Sequence, residues 1–316
     1  MKPFFTYEQQ LEKLKSGNLI IDDEAAALGY LQSEGYYNLI NGYAHCFKCK
    51  AGFIAGTKFE HIIALYRFDK DLRNIIYKYT STIECTIKAA IAHEFSGVHG
   101  VDENKYLSED CFVTDEHTQE HIQRLIASCR DTITESTKRN SNRYREYIAH
   151  SINNHNHVPL WILIRAMTFG TTTIFYRYML QPEREAIAKR FHLTGAQLSN
   201  ILEIVVSFRN IVAHGERTFC TKLSRSRLIS NSVTDNLKID KNANGRNKHG
   251  NNDIFALMIC CKYLLTPIDF VGMFQEINSA IQNLSEIIGP SNMGRIRNEM
   301  GLKKSYVNDL LHKKFF

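Results

Sequence analysis

Between Phe59 and Phe95 the chain contains no Pro and no Gly. Its apolar residues Ile63, Leu65, Phe68, Leu72, Ile76, Tyr79, Ile83, Ile87 and Ile91 recur there at spacings of mostly three and four. That period follows the α-helical turn and not the two-residue alternation of a strand. The segment predicts a long amphipathic helix, or two in close succession. It is the first pillar of a helical core.

The remaining elements follow the same pattern. Helical signals cover Tyr7–Ser16 and Asp22 to about Glu34, with Asp22 and Asp23 placed as N-caps. Residues 96–157 are polar and include a basic run from Lys138 to Arg145. They read as helical but largely surface material, with Gln119–Glu135 the best helix. Pro159 opens an apolar segment through Trp161, Leu163 and Phe169 to Tyr178, a core helix around Gly170. Pro182 starts a short helix that ends near His192. Thr194 and Gln197 form a capping box, in which the hydroxyl bonds forward and the amide reaches back. The helix they open runs to about Ala213, with Gly215 as its stop. Asp253–Leu265 and Ile268–Ile288 read as closing helices. Strand patterns are scarce, so the fold class is all-α. The expected division is an N-terminal helical extension (1–58), a helical core (59–290) with polar insertions at 96–157 and 216–252, and a basic C-terminal tail (291–316).

No stretch reaches the roughly 18 apolar residues of a membrane span, and the N-terminus lacks the uninterrupted apolar core of a signal peptide. A cytoplasmic protein with no membrane partner is expected. Its eight cysteines then read as reduced thiols. Cys260 and Cys261 fit core packing. Cys46 and Cys49 form a lone pair beside His45 without the second ligand pair of a zinc site. His150, His155 and His157 read as a solvated loop. Asp69 and Asp71, two apart on a helix, point in different directions and read as surface or interhelical salt-bridge partners. No metal or other cofactor is expected.

The net charge of +6 is concentrated rather than spread. Between Arg217 and Lys248 there are eight Lys or Arg and only two acids, so this one segment carries an excess as large as that of the whole chain. Such a concentration attracts polyanions such as RNA. Arg225, Arg227, Arg246 and Lys248 are the candidate phosphate contacts.

The segment from Leu198 to Ala213 is apolar nearly all round, as a buried helix is. The exceptions Glu203, Ser207, Asn210 and His214 are spaced by four, three and four, which sets them on one narrow stripe. A polar seam satisfied by neighbouring helices would explain the stripe equally well, until Arg209 is added. Arg209 lies five residues before His214, roughly 140° round an ideal helix, so the two do not share a face. Its long side chain, a break near the helix end or a second subunit must bring the guanidinium round. Asn210, one turn before His214, is placed to orient the imidazole. An imidazole that moves protons beside a guanidinium that grips phosphate is a minimal kit for cutting a phosphodiester.

Arg209-Asn-Ile-Val-Ala-His214 matches the R-x4-H motif of HEPN ribonucleases. Ala213-His-Gly-Glu-Arg-Thr-Phe219 resembles the continuation of that motif in the Abi (abortive infection) family of phage-resistance proteins. So do Leu65 to Arg73 with Ile83-Glu84 beyond, Pro159-Leu-Trp-Ile-Leu163 with Phe169-Gly170, and the opening Lys2 to Leu11. Two features depart from the family pattern: Arg165 stands where an acidic residue is expected, and the basic segment after Cys220 is long. The resemblance implies a HEPN-like helical bundle with helical and loop insertions, whose motifs meet across a two-fold dimer or pseudo-dimer. It implies metal-independent endoribonuclease activity, with His214 as acid or base, Arg209 stabilising charge on the phosphate, and Glu84 as a partner for Arg209. Glu203, Ser207 and Arg217 are expected to support the site. The residue five after Arg73 is Lys78, so Arg73 opens no second motif, and one half-site per chain implies a homodimer. The expected partners are RNA, cellular, transfer or non-coding, and an antitoxin or guide-like RNA that silences the protein. Two other readings stay open: a HEPN-fold module that binds RNA without cutting it, and a structural component of a toxin–antitoxin or defence complex.

Overall fold

The computed structural model describes residues 3–224, 229–235 and 237–312. The chain opens with α1 (Tyr7–Ser16) and α2 (Glu24–Glu34), the first started by a Thr6–Gln9 capping box and the second by Asp23. A π-helical turn at Tyr37–Asn41 and a 3-10 turn at Ala44–Phe47 lead into β1 (Lys48–Cys49) and β2 (Gly52–Phe53). These two short antiparallel strands are the only sheet among the described residues.

The Phe59–Phe95 periodicity forms one helix, not two: α3 spans Phe59–His99 without a break, about 60 Å at 1.5 Å per residue. Then follow α4 (Glu103–Tyr106), α5 (Gln119–Thr137), α6 (Glu146–His155), α7 (Leu160–Ala166), α8 (Phe169–Tyr178), α9 (Gln181–Lys189) and α10 (Gly195–Ala213). After α11 (Asn231–Thr234) the chain closes with α12 (Ile254–Leu264), α13 (Pro267–Met300) and α14 (Lys304–His312). The all-α expectation holds. The helix expected around Gly170 is two helices, because Met167 is extended and Thr168 caps a new start by accepting the Thr171 amide at 3.1 Å. α13 is kinked where Gly289 adopts φ 77° ahead of Pro290, which has no amide hydrogen to continue the ladder.

α3 is the axis of the molecule. α13, α10 and α7 pack along it, and α12 packs on α10. One apolar core runs through the chain from Leu11 to Leu310. It takes in three regions that polarity alone assigns to the surface. In the 96–157 region, α5 buries Ile122, Leu125, Ile126, Cys129 and Ile133, a single stripe on an otherwise polar helix. In the 216–252 region, Phe219, Leu223, Ile229, Val233, Leu237 and Ile239 are buried. These isolated side chains follow no single period, so they leave no helical or strand signature. Beyond residue 291, Met293, Ile296, Met300, Tyr306 and Leu310 are buried, and the amphipathic pattern prevails over the basic charge. Among the described residues, no helix is long and apolar enough to cross a membrane.

Candidate functional site

α10 presents the candidate site at its C-terminal end. Thr194 and Gln197 form the expected capping box: the Thr194 hydroxyl accepts the Gln197 amide at 3.2 Å, and the Gln197 side chain accepts the Thr194 amide at 2.9 Å. Leu198, Ile201, Leu202, Ile204, Val205 and Phe208 are buried in the core. Each such side chain contributes about 1.5–3 kcal/mol by burial, so the helix axis is firmly held. At the far end the Glu216 amide reaches the Ile211 carbonyl and the Gly215 amide reaches that of Val212, both at 3.1 Å. This paired closure needs a left-handed residue, and Gly215 supplies it at φ 70°. His214 is the last residue of the turn.

The polar stripe divides in two. Glu203 pairs with Arg177 of α8, and the Ser207 hydroxyl donates back to the Glu203 carbonyl at 2.7 Å. Glu203 and Ser207 are therefore engaged by the protein itself. Glu203 also sits eleven residues before His214, roughly 16 Å along the axis. Asn210 and His214, by contrast, are exposed. The Asn210 side-chain oxygen faces Arg209 at the outer limit of a hydrogen bond, 3.5 Å. Asn210 reaches His214 through its backbone carbonyl, which accepts the His214 amide at 3.0 Å.

Arg209 turns its guanidinium the other way, onto α3. Its Nη2 lies 3.2 Å from the Glu84 carboxylate, and the ring of Tyr77 stands 5.9 Å from the guanidinium carbon. The second Glu84 oxygen pairs with Lys88 at 2.7 Å, and Lys88 in turn donates to the Met167 carbonyl at 2.7 Å. The expected Glu84 partner is thus in place. No hydrogen bond or ion pair joins Arg209 to His214 among the described residues. The Arg209 Nε is buried without a hydrogen-bond partner, which leaves one donor of the fork unused.

The chain that leaves His214 is clamped by Asp69. This residue, expected at the surface or in an interhelical salt bridge, is 0 % exposed. Its carboxylate accepts the Thr218 amide at 3.1 Å, the Phe219 amide at 2.7 Å and the Tyr43 hydroxyl at 2.8 Å. Its ion-pair partner is Arg73, at 2.6 Å on the same helix. Burial pushes the Asp69 carboxyl above its ordinary value, and the Phe219 amide, Arg73, Tyr43 and the Thr218 amide offset only part of that rise. Burial also raises the Tyr43 phenol, with the Asp69 charge adding to it, so Tyr43 keeps the proton that it donates to Asp69. Tyr43 stacks on Phe219 with centroids 5.9 Å apart.

Arg217 binds the carbonyls of Asn41 and Gly42 at the end of the π-helical turn. It ties the N-terminal segment to the site rather than reaching into it. Arg246 and Lys248 are exposed, whereas Arg225 and Arg227 lie outside the described residues. Sequence reasoning missed Lys88 and Tyr77 and misread Asp69. Lys88 was legible as the i+4 partner of Glu84, and Tyr77 as its i−7 neighbour on the same face. The pairing of Asp69 with amides far along the chain had no local signal.

The fold is all-α, and the candidate site sets Asn210 and His214 exposed at the end of one largely buried helix. A family model described as Abi-like protein matches residues 29–220, and the chain belongs to that family. The match takes in Asp69, Glu84, Arg209, Asn210 and His214 and ends at Cys220, near the start of the basic segment. No curated protein and no solved structure matches the chain.

Proposed function

We propose that this protein is a metal-independent HEPN-type endoribonuclease of abortive-infection phage defence. Membership of the Abi-like family supports the defence role. The observation that carries the catalytic reading is the division of the α10 stripe. Glu203 and Ser207 are engaged within the fold, while Asn210 and His214 stand exposed at the end of the helix, with the Asn210 side chain 3.5 Å from the Arg209 guanidinium. In this reading His214 moves the proton of the ribose 2′-hydroxyl or of the leaving oxygen, and Arg209 grips the phosphate. Glu84, the carboxylate beside Arg209, has one oxygen paired with Arg209 and the other with Lys88, so it is not free to hold a metal ion. A two-fold homodimer would bring two His214 side chains to one cleft. Cellular, transfer or non-coding RNA is the substrate class, and an antitoxin or guide-like RNA is the class of silencing partner.

The test is RNA turnover by purified protein with EDTA present. Products ending in 2′,3′-cyclic phosphate and 5′-hydroxyl are expected, and DNA should resist. His214→Ala should lose about 100- to 10,000-fold in rate, and Asn210→Ala should lose less. Full activity in a folded His214→Ala protein sinks the assignment. The engagement of Arg209 by Glu84 favours a second reading, a HEPN-fold module that holds RNA without cutting it. RNA binding without turnover would select that reading.

A further inference from the structure

A groove of about 580 Å³ opens between α3 and α7, lined by Glu84, Lys88, His93, Trp161 and Arg165 among others. It begins at Glu84, the residue that holds Arg209 at 3.2 Å, so it leads directly away from the candidate catalytic helix. Ala89 and Ala92 also line it, and such small side chains leave room for a flat ring. Trp161, the chain's one tryptophan, stands 49 % exposed here. The exposed part of its ring is a flat apolar surface on which another aromatic ring can stack. Arg165 lies one turn beyond on the same face of α7, with its guanidinium carbon 5.1 Å from the Tyr147 ring centroid.

The charges narrow the choice of occupant. Lys88 and Arg165 line the groove and Arg209 adjoins it, against the single carboxylate of Glu84. A second copy docked through the same groove would set Arg165 and Lys88 against their own counterparts. An RNA strand meets the same groups with complementary charge, and an unpaired base can lie flat on indole. Resting on the ribonuclease reading, we infer that this groove binds an unpaired base of single-stranded RNA, stacked on Trp161 with Arg165 beside its phosphate. The protein would then select single strands, because a base paired in a duplex cannot enter.

Because Trp161 is the sole tryptophan, its emission reports this groove alone. The probe is a ten-nucleotide oligoadenylate added to His214→Ala protein, with a blunt-ended RNA duplex of about ten base pairs, one helical turn, as control. Quenching by the single strand and not by the duplex is expected. Trp161→Leu should weaken oligoadenylate binding by roughly 5- to 150-fold, the weight of one stacked base, with unchanged thermal unfolding, and Trp161→Phe should recover most of it. Binding that leaves the emission unchanged, or Trp161→Leu binding as tightly as the parent, overturns the inference. A Trp161→Leu change that dissociates a dimer of the protein in the absence of RNA also overturns it, in favour of a second copy in the groove. Failure of the ribonuclease reading looks different: quenching persists, but the His214-bearing protein does not cut. Failure of stacking alone leaves cutting with the same KM in Trp161→Leu.

Discussion

The Phe219 amide donates to the Asp69 carboxylate at 2.7 Å across 150 positions of sequence. Asp69 lies on the central helix, and Phe219 lies five residues past His214. The bond fixes where the chain goes once it leaves the candidate site, and with Thr218 and Tyr43 it makes Asp69 the anchor of that turn. A carboxylate at 0 % exposure that gathers an ion pair and neutral donors acts as a structural clamp.

Asp69→Ala leaves the Thr218 and Phe219 amides, the Tyr43 hydroxyl and Arg73 without their acceptor inside the core. The expected loss is about 3–5 kcal/mol, as for breaking a buried pair from one side, measured by urea unfolding. Asp69→Asn keeps one acceptor oxygen but turns an amide donor toward other donors, so it should lose less stability. It should still slow any RNA cleavage, because the turn after His214 loosens. A stability curve for Asp69→Ala that superimposes on wild type would count against the clamp.

The ion-pair chain Arg209–Glu84–Lys88 makes a prediction with two opposite signs. Glu84→Gln leaves two partly buried cations without their shared carboxylate, with an expected destabilisation of about 1–3 kcal/mol. The same change removes the negative charge next to Arg209, so RNA affinity should rise and depend more steeply on salt. Affinity that falls in step with stability would mean that Glu84 holds Arg209 in its binding position rather than restraining it.

Much of this architecture was legible in the sequence where a period or a cap announced it. α3 came from apolar spacing, α10 from the Thr194 capping box and Gly215, and the Glu84–Arg209 pair from the family pattern. Where sequence reading failed, long-range contacts had overridden local composition. Asp69 looked like a surface acid because its amide partners lie far along the chain. Phe219, Leu223 and Ile239 sat in a segment whose polar neighbours masked them. Trp161 read as core because its run is apolar, yet the groove beside α3 leaves it half uncovered. Gly250 shows how closely that polar segment packs: a Cβ there would lie 2.9 Å from the Phe255 ring, at a backbone φ of 74°.

The exposed cations Arg246 and Lys248 offer a test of the basic segment. Changing both to Ser, together with Arg225 and Arg227, should weaken RNA binding while leaving thermal unfolding in place. For single strands, the slope of log affinity against log salt should fall by about 0.7 for each phosphate that the protein ceases to neutralise. An unchanged slope would assign the segment's charge to something other than RNA.

The last prediction concerns acid stability and rests on Asp253, the N-cap of α12. Its carboxylate, 2 % exposed, accepts the Gly250 and Ala256 amides at 3.0 Å and lies 3.2 Å from Lys222 and 3.7 Å from His249. Burial pushes this carboxyl up, but His249, Lys222 and the two amides outweigh burial and hold it below its ordinary value of 3.8. A carboxyl depressed in the fold stabilises above its unfolded pKa, and that contribution is lost as pH falls through the folded value. Asp253→Asn should therefore cost about 1–3 kcal/mol at neutral pH. A protonated aspartic acid presents much the same shape and hydrogen bonds as asparagine. The gap between wild type and variant should therefore narrow steadily below about pH 4. Urea unfolding of both proteins from pH 7 to pH 3 measures that gap, and a gap that stays constant over this range would show that the charge of Asp253 contributes nothing to stability.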